Sequence, residues 1–127
     1  MSKVVLDASA LLALLNNETG ADRVRELLPD AMISTVNLAE VVTRLSLLGM
    51  PEEQVREVLS LLGLGIIAFD EEQAFLTGLF AAQTHSLGLS LGDRACLALA
   101  SVTSATAITA DRGWKDLNLG VSIRLVR

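Results

Sequence analysis

The chain has 127 residues, a length that makes one domain with a real buried core. Hydrophobic residues make up 51% and charged residues 20%, which excludes a disordered chain, and at 3% aromatics the core must be built from Leu, Val, Ile and Ala. A formal charge of −5 argues against a protein that grips nucleic acid by bulk positive charge, and the single cysteine excludes an internal disulfide and fits a reducing compartment.

Met1-Ser2-Lys3 and the short apolar run after it lack the length and cleavage site of a signal peptide. No uncharged stretch is long enough to span a membrane, so a cytoplasmic protein is expected. Lys3-Val4-Val5-Leu6 reads as a buried strand. Ala8 to about Asn17 reads as a helix, and Gly20 to Leu28 as a second that stops at Pro29. Ala31-Met32-Ile33-Ser34 is the second strand, followed by a helix from Thr35 to Leu48 that Gly49 ends. Pro51 suits the first position of the next helix, with Glu52 and Glu53 in its first turn, running to about Leu62. Ile66-Ile67-Ala68-Phe69 is the third strand, and Asp70 caps a helix reaching about Ser86. Ser90 or Gly92 opens a helix through Ala100, Thr106-Ala107-Ile108-Thr109 is the fourth strand, and Val121 to Val126 holds the fifth. The alternation predicts an α/β fold over residues 1–127: a parallel sheet of about five strands flanked by helices on both faces.

Ligands of such sheets bind outside the carboxyl ends of the strands, and that rule places four acids. Asp7 directly follows the first strand, and Asp111 stands two residues beyond Thr109 at the end of the fourth. Glu40 is about one turn into the helix that leaves the second strand. Asp93 is in the first turn of the helix before the fourth strand, which must start on the same edge for that strand to rise in parallel. Taken singly, Asp7 reads as a helix N-cap, Asp93 as an acid suited to the helix dipole, and Asp111 as a turn residue. Glu40 lies among Val36, Leu38, Ala39, Val41, Val42 and Leu45, either on a thin solvated strip or partly buried with a partner.

Four converging carboxylates repel one another unless a cation joins them, and Mg²⁺ and Mn²⁺ prefer oxygen ligands. His85 and Cys96 are each the only residue of their kind, which argues against a soft-metal site. One or two such ions polarise a phosphate and stabilise a leaving oxygen, and they supply the positive charge the chain lacks. Ser9, Asn37 and Thr109 are candidate donors that orient the carboxylates, against a purely local capping or turn role. Arg94 and Arg112 each follow an acid directly and are candidates for RNA phosphates, with pairing to a site carboxylate an equal reading of Arg94. Trp114 could stack on a base or pack beside the last strand, Cys96 is expected in the core and His85 in solvent.

Val5-Leu6-Asp7-Ala8-Ser9-Ala10-Leu11-Leu12 resembles the opening of PIN-domain ribonucleases of the VapC toxin type. Ile33 to Val41, Leu89 to Ala100 and Ile108 to Trp114 resemble that family's three further acid motifs, in the family's order and over the whole chain. The resemblance implies an Mg²⁺- or Mn²⁺-dependent endoribonuclease, the toxin of a toxin–antitoxin pair, that forms a homodimer and is silenced by an antitoxin protein. It implies Asp7 and Asp93 as the central metal ligands, with Glu40 and Asp111 completing the shell directly or through water. Water attack on the phosphodiester would then leave a 5′-phosphate. The apolar stretch from Leu45 to Leu62 is expected to contribute to a dimer or antitoxin surface. Two other readings remain at this point. A catalytically silent PIN-like interaction module would keep the fold, and a receiver-like Mg²⁺-binding signalling domain would need a second acid where Ala8-Ser9 stand.

Overall fold

The short apolar runs pair into one sheet in which every neighbouring pair of strands is parallel. The computed structural model describes residues 3–127, so Met1 and Ser2, which belong to the segment judged too short for a signal peptide, lie outside the described residues. The strands are β1 (Val4–Leu6), β2 (Ala31–Ser34), β3 (Gly65–Ile67), β4 (Thr106–Thr109) and β5 (Ile123–Leu125). The helices are α1 (Ala8–Leu15), α2 (Ala21–Leu27), α3 (Thr35–Leu47), α4 (Glu52–Ser60), α5 (Glu71–Thr84) and α6 (Leu91–Thr103). Short 3-10 turns span Leu28–Asp30, His85–Leu87 and Arg112–Asp116.

The strand order is β3-β2-β1-β4-β5. The chain therefore steps outward from β1 through β2 to β3, then returns to the other side of β1, and the direction reverses between β1 and β4. Alternate residues of each strand face opposite sides of the sheet. Leu6, Ile33 and Ile108 pack with Leu11 of α1, Val24 of α2, Val41 of α3 and Val55 of α4. Val5, Met32 and Ala107 pack on the other side with Phe80 of α5, Leu97 of α6 and Trp114. Helices thus cover both faces, and few polar groups remain on the three inner strands.

The differences from the sequence reading sit at element ends and have local causes. Asn17 takes a left-handed backbone (φ 52), so α1 stops short of it. Pro51 keeps an extended ψ of 155 and is the N-cap of α4, one position earlier than its expected place as first helical residue. β3 begins at Gly65 and ends at Ile67, because the Phe69 N–H leaves the ladder to donate to Thr35 Oγ1 at 3.1 Å. α5 gives way to a 3-10 turn at His85, and α6 continues past Ala100 to Thr103. Among the described residues no helix is long and apolar enough to cross a membrane.

Candidate active site

Two of the acids, Asp7 and Asp111, enter the site as caps. Asp7, at the carboxyl end of β1, is the N-cap of α1 and accepts the Ala10 N–H at 2.9 Å through Oδ1. It is buried, with 3% of its surface exposed, yet no arginine or lysine pairs with it among the described residues. Two hydroxyls do the work of a counter-charge: Ser9 Oγ donates to Oδ1 at 2.7 Å and Thr109 Oγ1 donates to Oδ2 at 2.8 Å. Both hydroxyls are held in turn from the end of β4. The Ala110 N–H donates to Ser9 Oγ and the Asp111 N–H to Thr109 Oγ1, each at 3.0 Å. Burial pushes the Asp7 carboxyl up from 3.8 to about 6, the charge of nearby Asp93 adds to the rise, and these hydrogen bonds oppose it.

Asp93 forms a reciprocal capping box with Ser90 at the start of α6. Ser90 Oγ accepts the Asp93 N–H at 3.1 Å, and Asp93 Oδ2 accepts the Ser90 N–H at 3.0 Å. Ser90 rather than Gly92 is therefore the N-cap. Glu40 projects from α3 toward the same helix start, and its Oε1 accepts from Asn37 Nδ2 at 2.9 Å. Partial burial raises the Glu40 carboxyl, Asn37 lowers it, and Asp93 raises it. The Cys96 thiol, fully buried below, is pushed well up by burial and by the charges of Asp7, Asp93 and Glu40 together. These three acids therefore share one field at the switch between β1 and β4, where open α/β sheets hold their ligands.

Asp111 also stands on the carboxyl edge, at the exit of β4, but it is exposed and turned to its own loop. It caps the 3-10 turn, with its Oδ1 accepting the Gly113 N–H at 2.8 Å. As the side chains stand, no three acids among the described residues come close enough to share one cation. The donor set nevertheless fits a hard cation. Glu40, Asp93 and Asp111 each have one oxygen held by the protein (Oε1, Oδ2 and Oδ1), while the other accepts no hydrogen bond from the described residues. None of the four acids has a basic partner within ion-pair distance among the described residues.

The basic and aromatic candidates fall elsewhere. The Arg94 guanidinium donates to the Thr77 carbonyl on α5 at 2.9 Å, tying α6 to α5. Arg112 is exposed, and its Nε donates to the Arg127 carbonyl at 3.3 Å. Trp114 is fully buried in the core on the α5–α6 face, which leaves its ring no open side for a base. Cys96 is in the core and His85 is exposed. Ser90 and Gly92, which the sequence offers only as alternative starts of α6, each do more than that. Ser90 completes the box with Asp93, and its Ser-x-x-Asp spacing was the available signal. Gly92 leaves the space that the Glu40 carboxylate fills, and no local pattern marks it.

With this geometry in hand, the chain can be set beside known proteins. A family model described as the PIN domain matches residues 4–119. The chain belongs to the PIN-domain family. Its fold is shared with a DNA-bound VapBC complex from Salmonella typhimurium (TM-score 0.78, 20% identity, all of both chains). It is shared also with a toxin–antitoxin complex from Klebsiella pneumoniae (TM-score 0.74, 20% identity, 98% of each chain) and with FitAcB from Neisseria gonorrhoeae (TM-score 0.67, 25% identity, 97% of each chain). No curated relative matches the sequence. In this PIN domain the charge of Asp93 bears on both Asp7 and Glu40.

Proposed function

We propose that this PIN domain is a cytoplasmic Mg²⁺- or Mn²⁺-dependent endoribonuclease, the toxin of a toxin–antitoxin pair. The observation that carries the reading is the convergence of Asp7, Glu40 and Asp93 at the β1–β4 switch, with no basic partner among the described residues and with one oxygen of Glu40 and one of Asp93 left open. Carboxylates so arranged gain most from a divalent cation, and Asp7 and Asp93 would hold it, with Glu40 and Asp111 completing the shell directly or through water. A bound cation supplies positive charge that polarises the phosphodiester and lowers the pKa of water at the site.

The chain's own residues do the rest. Ser9 and Thr109 keep Asp7 in a single orientation, and the capping box keeps Asp93 at the head of α6. His85 is exposed and lies outside the cluster, so proton transfer falls to solvent and the carboxylates. Arg112, exposed beside Asp111, would meet RNA phosphates at the rim; Arg94, held on the Thr77 carbonyl, is the weaker of the two candidates.

The antitoxin and a second copy of the chain are the partners of this reading. Two observations support them: the structural relative from Klebsiella is a toxin–antitoxin complex, and an apolar groove of about 720 Å³ runs between α3 and α4. Leu38, Val42, Met50, Val55 and Leu59 line it, with Glu52 and Arg56 among its polar margins. A silent interaction module would keep that groove and lack the chemistry.

The test is cleavage of a mixed RNA pool by the native chain with Mg²⁺ or Mn²⁺, with EDTA, and by Asp93→Asn. Cleavage that requires both the metal and Asp93, and leaves 5′-phosphate ends, supports the reading. Cyclic phosphate ends would overturn the water-attack chemistry, and absence of metal binding would overturn the acid cluster's role.

A further inference from the structure

Asn37 is almost wholly buried on α3, three residues before Glu40. Its Nδ2 donates twice, to Glu40 Oε1 and to the Gly92 carbonyl of α6, both at 2.9 Å. Both partners can only accept, which fixes the orientation of the amide. Its Oδ1 is then left buried without a donor among the described residues. An unmet buried acceptor is destabilising, so a residue serving only to pack α3 against α6 would be better replaced by an apolar one. Gly92 gives the second, independent observation. A Cβ built at that position would lie 2.5 Å from Glu40 Cδ and nearer still to both carboxylate oxygens. Contacts that short do not occur, so the Glu40 carboxylate occupies the place where any other residue would carry its side chain.

We infer that Asn37 and Gly92 are positioning residues that seat the Glu40 carboxylate against the first turn of α6, one residue from Asp93; this rests on the metal-site reading above. The amide pins Oε1 from one side, the bare glycine opens the seat from the other, and Oε2 is left for a divalent cation. The same amide holds the peptide that leads into Asp93. The distance between the Glu40 and Asp93 carboxylates is thus set by one buried side chain rather than by two flexible ones.

The experiment is Mn²⁺ titration calorimetry on the native chain, Asn37→Ala and Gly92→Ala. It is accompanied by the Glu40 side-chain carboxyl ¹³C resonance and the melting temperature, both without metal. Gly92→Ala guards against a trivial loss of fold, because Ala suits a helix and the group its Cβ displaces is the free end of the Glu40 side chain, not backbone. The inference expects Mn²⁺ affinity to fall about 10- to 100-fold in both variants. It also expects the Glu40 resonance to move toward its free-peptide position while both proteins stay folded. If native protein binds Mn²⁺ and both variants bind it equally well, the inference is overturned and the metal site stands. If affinity falls only in step with the melting temperature, Asn37 is glue between helices and the inference is again overturned. If the native chain binds no Mn²⁺, the metal-site reading fails and takes the inference with it.

Discussion

Asp7 and Thr109 are 102 residues apart in the chain, yet Thr109 Oγ1 donates to Asp7 Oδ2 at 2.8 Å. The parallel register that sets Leu6 beside Ile108 places the next residue of each strand at the same edge, so the sheet itself makes this bond. The hydroxyl also accepts the Asp111 N–H, and one oxygen atom therefore links the acid after β1 to the acid after β4.

Thr109→Val removes that oxygen while keeping the shape. It leaves a buried carboxylate oxygen and a backbone N–H unpaired, a loss of about 1–3 kcal/mol that urea unfolding will read. One of the bonds holding down the Asp7 pKa also disappears, so the Asp7 carboxyl should titrate above its native value of about 6 when followed by ¹³C NMR. An unmoved titration would mean that Ser9 and Ala10 alone orient Asp7.

Without metal, Asp7 should make the protein less stable as pH rises. Its folded pKa of about 6 lies above the ordinary 3.8, so between these values the folded state binds the proton more tightly than the unfolded chain. The stabilisation is complete below about 4 and is lost as pH climbs through about 6, with a size on the order of 3 kcal/mol. In EDTA the melting temperature should fall from pH 5 to pH 7, and Asp7→Asn should flatten that fall. Added Mg²⁺ should restore stability most at the higher pH, because the ligands must lose their protons to bind it.

Gly20→Ala should destabilise the fold from a distance. Gly20 caps α2 with φ at 99, and a Cβ there would lie 2.7 Å from the Val126 carbonyl oxygen and 2.9 Å from Val126 Cγ2. Left-handed strain and the collision together predict a loss on the order of 2–3 kcal/mol by chemical denaturation. Metal-dependent cleavage per folded molecule should not change.

Leu47, Leu48 and Leu61 leave 81%, 65% and 79% of their surfaces in solvent, a large apolar face for so small a domain. If this face joins two copies, light scattering at micromolar concentration will give twice the 13.5 kDa chain mass. Leu47→Lys combined with Leu61→Lys should return it to the single-chain value. A doubled mass that survives both changes would move the contact to Phe75 and Leu79, which are similarly exposed on α5.

The sheet and the edge that bears the acids were legible because they depend on periodicity and chain direction. A buried run followed at once by Asp7 says strand and then edge, and a helix that must descend before β4 rises puts Asp93 on that edge. What could not be read was how near the side chains come. Glu40 meets Gly92 only because α3 and α6 close on each other across the top of the sheet, and Asn37 reaches the Gly92 carbonyl over 55 residues of sequence. The end of β3 was misplaced for the same kind of reason, since a hydroxyl on α3 captures the Phe69 N–H. The exposed face of α5, with Phe75 and Leu79, hid in a helix whose apolar residues gather on no single side.

Three of the four acids are also helix starts: Asp7 caps α1, Asp93 closes the box on α6, and Asp111 begins the turn after β4. Asparagine caps a helix about as well as aspartate does. On the proposed metal-site reading, a one-atom exchange at either true cap, Asp7 or Asp111, would therefore remove a ligand charge and keep the capping oxygen. On that reading, lineages of such a chain have a short mutational path to inert copies that keep the fold, and the same frugality makes an inactivated form for binding studies easy to obtain.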